Sequence, residues 1–276
     1  MGMSIGKFTV LAKLGEGAHS SILHIRRQAD SKEYALKVVP VAEPEEKKYL
    51  EQAKHEFRVA QMLGHPNLVQ IHALEIEKKM FIWPVKANML IEYIPGKAMD
   101  EIPPVPIPKL LPMLVQVAGG LTHMHRRGVC HGDLKPNNLM LGRGNRVKVI
   151  DFGLAWIKGE NKERIQGTPE YMAPETAAKK VVNEQTDIFN FGATMYRLAT
   201  WRTPPSVIIE GARVKSKEYA AVLQAVEECN ASAPKEFAEF IHKCMAFKPD
   251  KRPERMSEVK EELERLAEEF GEPGEE

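Results

Sequence analysis

The sequence predicts an α+β protein of two lobes with a cleft between them. Three observations carry this reading. Residues 8–39 run as short β-type segments broken by glycine and polar residues, whereas the period turns helical across 45–63 and helical periodicity dominates from Lys109 onward. Pro95-Gly96 interrupts the pattern between the two regimes and is the candidate hinge. The expected divisions are residues 1–94, residues 95–267, and an acidic, disordered tail at 268–276.

In chain order, FTVLAKL, SSILHIRR and YALKVV read as three strands of an antiparallel meander. Leu50, Phe57, Ala60 and Leu63 share one face of the helix that follows, and Gly64-His65-Pro66-Asn67 ends it. LVQIHALEI, KKMFIWPV and ANMLIEYI supply two or three more strands. The proline-rich PPVPIP is too stiff and too poor in amides for helix or strand and reads as a spacer. LLPMLVQVAGGLTHMHRR, DIFNFGATMYRLAT, KEFAEFIHKCMAF and MSEVKEELERLAEEF carry helical periodicity.

Composition narrows the class further. With 276 residues the chain is long enough for one large domain or two lobes. A net charge of +1 gives no reason to expect nucleic acid or an anionic membrane as partner. No apolar run reaches the roughly 18 residues of a membrane helix, and MGMSIGKF lacks the apolar centre of a signal peptide. Cys130, Cys229 and Cys244 are few, odd in number and far apart, which argues against a disulfide framework or zinc site and fits a reducing cytoplasm. Nothing in the sequence specifies an oligomeric state.

The chemistry concentrates in a few places. Gly15-Glu16-Gly17 between strands is by itself only a turn, but a lysine in the next apolar strand gives it context. That lysine, Lys37, follows Tyr34-Ala35-Leu36 and precedes Val38-Val39. An unpaired ammonium in a core is costly, so it needs a partner, and Glu56 on the next helix supplies one that can fix its aim at phosphate oxygens. The densest polar cluster is His131-Gly132-Asp133-Leu134-Lys135-Pro136-Asn137-Asn138, flanked by Val129-Cys130 and Leu139-Met140-Leu141. A loop this polar between apolar flanks marks a site. The strand Val147-Lys148-Val149-Ile150 then delivers Asp151 at its end. Asp151 and Asn138 offer hard oxygen ligands suited to magnesium carrying phosphate, unlike the softer His/Cys set of zinc.

From about Phe8 to Ala267 these residues resemble the eukaryotic-type serine/threonine protein kinase family. Gly15, Gly17 and Ser20 look like its glycine-rich loop, with Ser20 where the third glycine usually stands. Ala35 and Lys37 match its VAIK-like strand, Glu56 its helix-C glutamate, His131 to Asn138 its catalytic loop, and Asp151-Phe152-Gly153 its metal-binding DFG. Ala173-Pro174-Glu175 matches APE, and Asp187 and Arg252 resemble the helical-lobe aspartate and the arginine that pairs with the APE glutamate. The resemblance implies a bilobal kinase fold, a strand-rich N-lobe with one main helix and a helical C-lobe. It implies transfer of the γ-phosphoryl group of ATP, with Mg2+ or Mn2+, to a serine or threonine of a protein substrate. Asp133 is then the catalytic carboxylate, Lys135 meets the transferring phosphate, Lys37 held by Glu56 takes the α and β phosphates, and Asn138 and Asp151 hold the metal. Ile91 stands as gatekeeper, Glu92 and Ile94 offer backbone groups to adenine, and Ile22, Ala35 and Met140 enclose the ring. Thr168 resembles the substrate-facing threonine of the serine/threonine class.

Two departures matter. Position 132 is Gly where many of these kinases carry an arginine that binds an activation-loop phosphate, and no serine or threonine lies between Phe152 and Gly167. The expectation is an enzyme not switched on by phosphorylation in the middle of that loop. HGD followed by asparagine also resembles aminoglycoside and choline kinases, but these normally lack the APE block and the partners Asp187 and Arg252. A pseudokinase scaffold is the other alternative, and it would lack one of Lys37, Asp133, Asn138 or Asp151, all present here.

Overall fold

The computed structural model describes residues 4–17, 19–80, 83–160, 166–209 and 211–271. The chain divides into a first unit of Met1–Gly64, Leu68–Pro95 and Asp151–Gly153, and a second of His65–Asn67, Gly96–Ile150 and Leu154–Glu276. Two short segments thus depart from a contiguous division. Residues 65–67 join the second unit because the Asn67 amide donates to Gln116 Oε1 (2.9 Å) and to the Val147 carbonyl (2.8 Å).

The first unit is one antiparallel sheet and one helix. Strands β1 (Ser4–Ile5), β2 (Phe8–Gly17), β3 (Ser20–Arg27), β4 (Glu33–Pro40), β5 (Ile71–Lys79) and β6 (Trp83–Glu92) lie in the order β1-β2-β3-β4-β6-β5. Lys79 closes β5 and Trp83 opens β6, so that among the described residues two strands, not three, follow the helix; Phe81 and Ile82 lie outside the described residues. β-Branched and aliphatic residues put Ile25, Leu36, Val39, Ala87 and Met89 in the core, without strict alternation along β4 and β6. Helix α1 (Lys47–Gln61) buries Leu50, Ala53, Val59 and Ala60. Its buried stripe also contains Glu56, while Phe57 and Leu63, expected on that face, are only half-buried. The stripe is rotated toward Glu56, which places a carboxylate where periodicity alone puts an apolar residue.

The second unit contains β7 (Lys97–Ala98), α2 (Ile107–Arg126), β8 (Val129–Cys130), β9 (Leu139–Leu141), β10 (Val147–Val149) and β11 (Trp156–Ile157). It continues through α3 (Pro174–Lys179), α4 (Glu184–Thr200), β12 (Ile208–Ile209), β13 (Ala212–Arg213), α5 (Ser216–Val222), α6 (Val226–Cys229), α7 (Lys235–Cys244) and α8 (Met256–Phe270). Leu110, Leu114, Val117 and Leu121 of α2 face Val259, Leu263 and Leu266 of α8 in a shared apolar seam. α4 packs on α7 so closely that a Cβ at Gly192 would stand 2.8 Å from Cys244 Cβ, which excludes any larger residue there. The start of α4 is fixed by a capping box: Thr186 N–H donates to Asn183 Oδ1 (3.1 Å) and Asn183 N–H donates to Thr186 Oγ1 (3.0 Å).

Two expectations are corrected here. The last residues of the PPVPIP stretch, Ile107 and Pro108, form the first turn of α2, where proline's missing N–H is one the helix leaves unpaired anyway. Residues 268–270 of the expected disordered tail are the last residues of α8, which extends one turn past its last buried residue, Leu266, in agreement with the helical period of MSEVKEELERLAEEF. Residues 272–276 lie outside the described residues.

Candidate active site

In the first unit, Lys37 sits in the sheet interior, paired with Ile22 of β3 and Met89 of β6. Its Nζ donates to Glu56 Oε2 at 2.7 Å, and Glu56 is 3% exposed. Burial opposes the charge on Lys37, but the carboxylates of Glu56 and Asp151 more than offset it and hold the amine's pKa above its ordinary value. Burial raises the Glu56 pKa, and the Lys37 ammonium pulls against that rise. Asp151 adopts a left-handed backbone (φ 66°), and its Oδ1 accepts from Gly153 N–H at 3.0 Å. That conformation is tolerated by aspartate at a cost of order 1 kcal/mol.

A cavity of about 270 Å3 opens among His19, Ser20, Lys37, Tyr49, Glu56 and Asp151. Gly15 and Gly17 end β2 opposite Ile22 and Ser20 of β3, after an irregularity in register between Lys13 and Gly15; Ala18 lies outside the described residues. His19 is exposed but not simply solvated, since its ring stacks on Tyr49 with centroids 4.0 Å apart and planes at 23°. Ala35 pairs with Ile91. Glu92 ends β6 with its N–H donating to the Gln70 carbonyl (2.9 Å), and Ile94 follows the strand.

In the second unit the loop after β8 turns through Gly132 at φ 78°, a left-handed conformation that glycine takes without steric cost. Asp187, in the first turn of α4 and fully buried, accepts from His131 N–H (2.7 Å), Gly132 N–H (2.8 Å) and His125 Nε2 (2.7 Å). These bonds fix the loop that presents Asp133. Asp133 Oδ1 accepts from Thr168 N–H at 2.7 Å, and Lys135 Nζ stands 3.3 Å from Asp133 Oδ2 while donating to Thr168 Oγ1 at 2.7 Å. Asn138 Nδ2 donates to the Asp133 carbonyl at 2.8 Å, which fixes the orientation of the amide. Met140 lies on β9 opposite Ala98 and Lys148. Arg252 spends all five N–H donors: Nη1 and Nη2 fork onto Glu175 at 2.7 and 2.9 Å, and the Ala246, Gln185 and Phe247 carbonyls take the rest.

Sequence reasoning missed His125. Its side chain is 4% exposed and its Nδ1 lies 3.1 Å from Glu184 Oε1, an ion-pair distance without hydrogen-bond alignment. Cys130 joins His125 and Asp187 in a cluster of three potential metal ligands, but Asp187 is already committed to three N–H donors. Burial disfavours the imidazolium, yet Asp187 and Glu184 outweigh it and raise the His125 pKa from 6.5 to about 9. Asp187 is correspondingly lowered, against its burial, by His125, His131 and the Gly132 N–H. A raised folded-state pKa contributes stability that is complete below about pH 6.5 and lost as pH rises through about 9. We expect the thermal midpoint to fall across that window by the equivalent of about 3 kcal/mol, and His125→Gln to flatten the fall. Parallel pH profiles for the two proteins would contradict this assignment.

Among the described residues, Asp151 in the first unit and Asn138 in the second each carry a hard oxygen of the kind a divalent cation takes, and the half-buried Lys37 ammonium is of the kind that meets phosphate oxygens. The protein kinase domain family model matches residues 8–263, and the chain belongs to that family. It is similar to the probable serine/threonine-protein kinase CA_C1728 of Clostridium acetobutylicum, 25% identical over 93% of this chain and 39% of the relative. It is also similar to PrkC of Bacillus subtilis (23%, over 94% of this chain and 40% of the relative). A third relative is the DNA damage-responsive serine/threonine-protein kinase RqkA of Deinococcus radiodurans (29%, 90% and 38%). The chain thus spans about two fifths of the length of these curated relatives.

Proposed function

We propose that this chain transfers the γ-phosphoryl group of ATP to serine or threonine hydroxyls of protein substrates, with Mg2+ as the working metal. The observation that carries this reading is the Asp133–Lys135–Thr168 arrangement: a carboxylate held by a backbone N–H, with an ammonium bonded to the threonine beside it. Asp133 Oδ2 orients the acceptor hydroxyl and takes its proton, and Lys135 exchanges its threonine contact for the charge developing on the transferred group. Lys37, aimed by Glu56, holds the non-transferred phosphates in place. Asn138 and Asp151 are the groups that would hold the metal, whose chemistry is to neutralise charge on the β and γ oxygens.

The regulation we propose follows from residues in hand. Thr168 and Tyr171 are the only hydroxyl side chains between Asp151 and Glu175. Thr168 is engaged by Lys135, and Tyr171 is 9% exposed with burial pushing its phenol up to about 12. Neither is free to be a mid-loop phosphate switch, and Gly132 brings no charge that would need one. No described helix is long and apolar enough to cross a membrane, and three cysteines outside any disulfide fit a reducing compartment such as the cytoplasm.

The test is parallel transfer from γ-labelled ATP to a serine/threonine/tyrosine peptide library, an aminoglycoside and choline. Label on phosphoserine and phosphothreonine is expected. Label on the small molecules alone would replace this reading with the antibiotic-kinase one.

A further inference from the structure

A groove of about 480 Å3 lies in the second unit, away from the catalytic loop residues. Its floor is apolar: Pro174 and Ala177 of α3, Val207, Val214 and Phe247. Its rim is basic. Lys179, Arg213, Lys215 and Lys248 all border it and all are exposed. The one carboxylate among its described lining residues is Glu175, and both its oxygens are taken by Arg252. Four cations therefore surround an apolar floor with no free anion in the groove, on a chain whose net charge is only +1. Such a local imbalance on an even-handed surface is complementary to an anionic partner. The apolar floor selects against a plain polyanion and for a chain that brings its own apolar side chain.

Position identifies the partner. Arg213 Nη1 donates to the Ala178 carbonyl (3.1 Å), which ties the β12–β13 hairpin to α3. α3 begins at Pro174, six residues after Thr168, so at most about 20 Å of chain separates the groove from the residue beside Asp133. We infer that this groove docks an acidic segment of the protein substrate carrying an apolar anchor, outside the residues around the acceptor hydroxyl. This rests on the protein kinase reading for the acceptor, but not for the binding itself.

The experiment has two arms. Fluorescence anisotropy, without ATP, follows a labelled peptide of glutamates around a leucine-phenylalanine pair, beside a counterpart with lysines in place of the glutamates. The acidic peptide should bind and the basic one should not. Lys179→Glu/Arg213→Glu/Lys248→Glu should weaken binding at least tenfold, as should a rise in salt from 0.05 to 0.5 M, since exposed charges are readily screened. These side chains are exposed, so the variant should fold, and circular dichroism checks that it does. In the second arm the acidic segment is appended to a serine peptide. KM should fall about tenfold for the wild type and not for the variant, with kcat on the bare peptide equal in both. Failure of the bare peptide to be phosphorylated would count against the kinase reading alone. Binding unchanged by the triple charge reversal, equal binding of the basic peptide, or loss of self-association as the variant's only effect would overturn the docking site; the last would make a second copy of this chain the occupant.

Discussion

Asp133→Asn is expected to lower kcat by about 10²- to 10⁴-fold while ATP affinity and fold are kept. The replacement is nearly isosteric, and an amide oxygen can still accept the Thr168 N–H that now bonds Oδ1 at 2.7 Å. What it removes is the anion at Oδ2, which sits 3.3 Å from Lys135 Nζ and is the group able to accept a proton from a hydroxyl. The loss is therefore of chemistry and not of architecture. Turnover measured on peptide, together with nucleotide binding followed by calorimetry, separates the two. An unaltered kcat would remove Asp133 from the mechanism.

Arg252→Ala is expected to have the largest effect on stability, about 3–5 kcal/mol. Arg252 is 5% exposed, and its removal strands Glu175 and three carbonyls that now share its donors. At about 2–4 °C per kcal/mol for a chain of this size, the thermal midpoint should drop by about 10 °C. Removing both charges with Arg252→Met/Glu175→Leu should recover much of the loss, because the main cost is a stranded carboxylate. A midpoint within 2 °C of wild type for Arg252→Ala would show that the fork adds little net stability.

Much of this was legible in the sequence where a residue contradicts its surroundings. A lysine inside YALKVV demands an anion, and an eight-residue polar run between Val129-Cys130 and Leu139-Met140-Leu141 demands a use. Strands and helices with clean periods emerge where expected, and errors cluster where another force overrides the period. Glu56 rotates the buried stripe of α1, and α8 runs three residues into the segment read as tail, past its last buried residue Leu266. What was illegible are convergences between distant positions. His125 looks like one more basic residue near a helix end, and nothing local says that it meets Asp187, 62 residues away. His19 on Tyr49 and the basic rim around Val207 and Phe247 are likewise products of packing, with no sequence period to announce them.

The proposed transfer of phosphate from ATP to a protein hydroxyl requires both Lys37 and Asp133. Its most direct test is the rate of label transfer from γ-labelled ATP to a serine peptide by wild type, Lys37→Met and Asp133→Asn, each shown to be folded. Turnover by the wild type is expected, with a loss of at least about 100-fold in each variant. Undiminished transfer by folded Lys37→Met, or no transfer by the wild type, would contradict it.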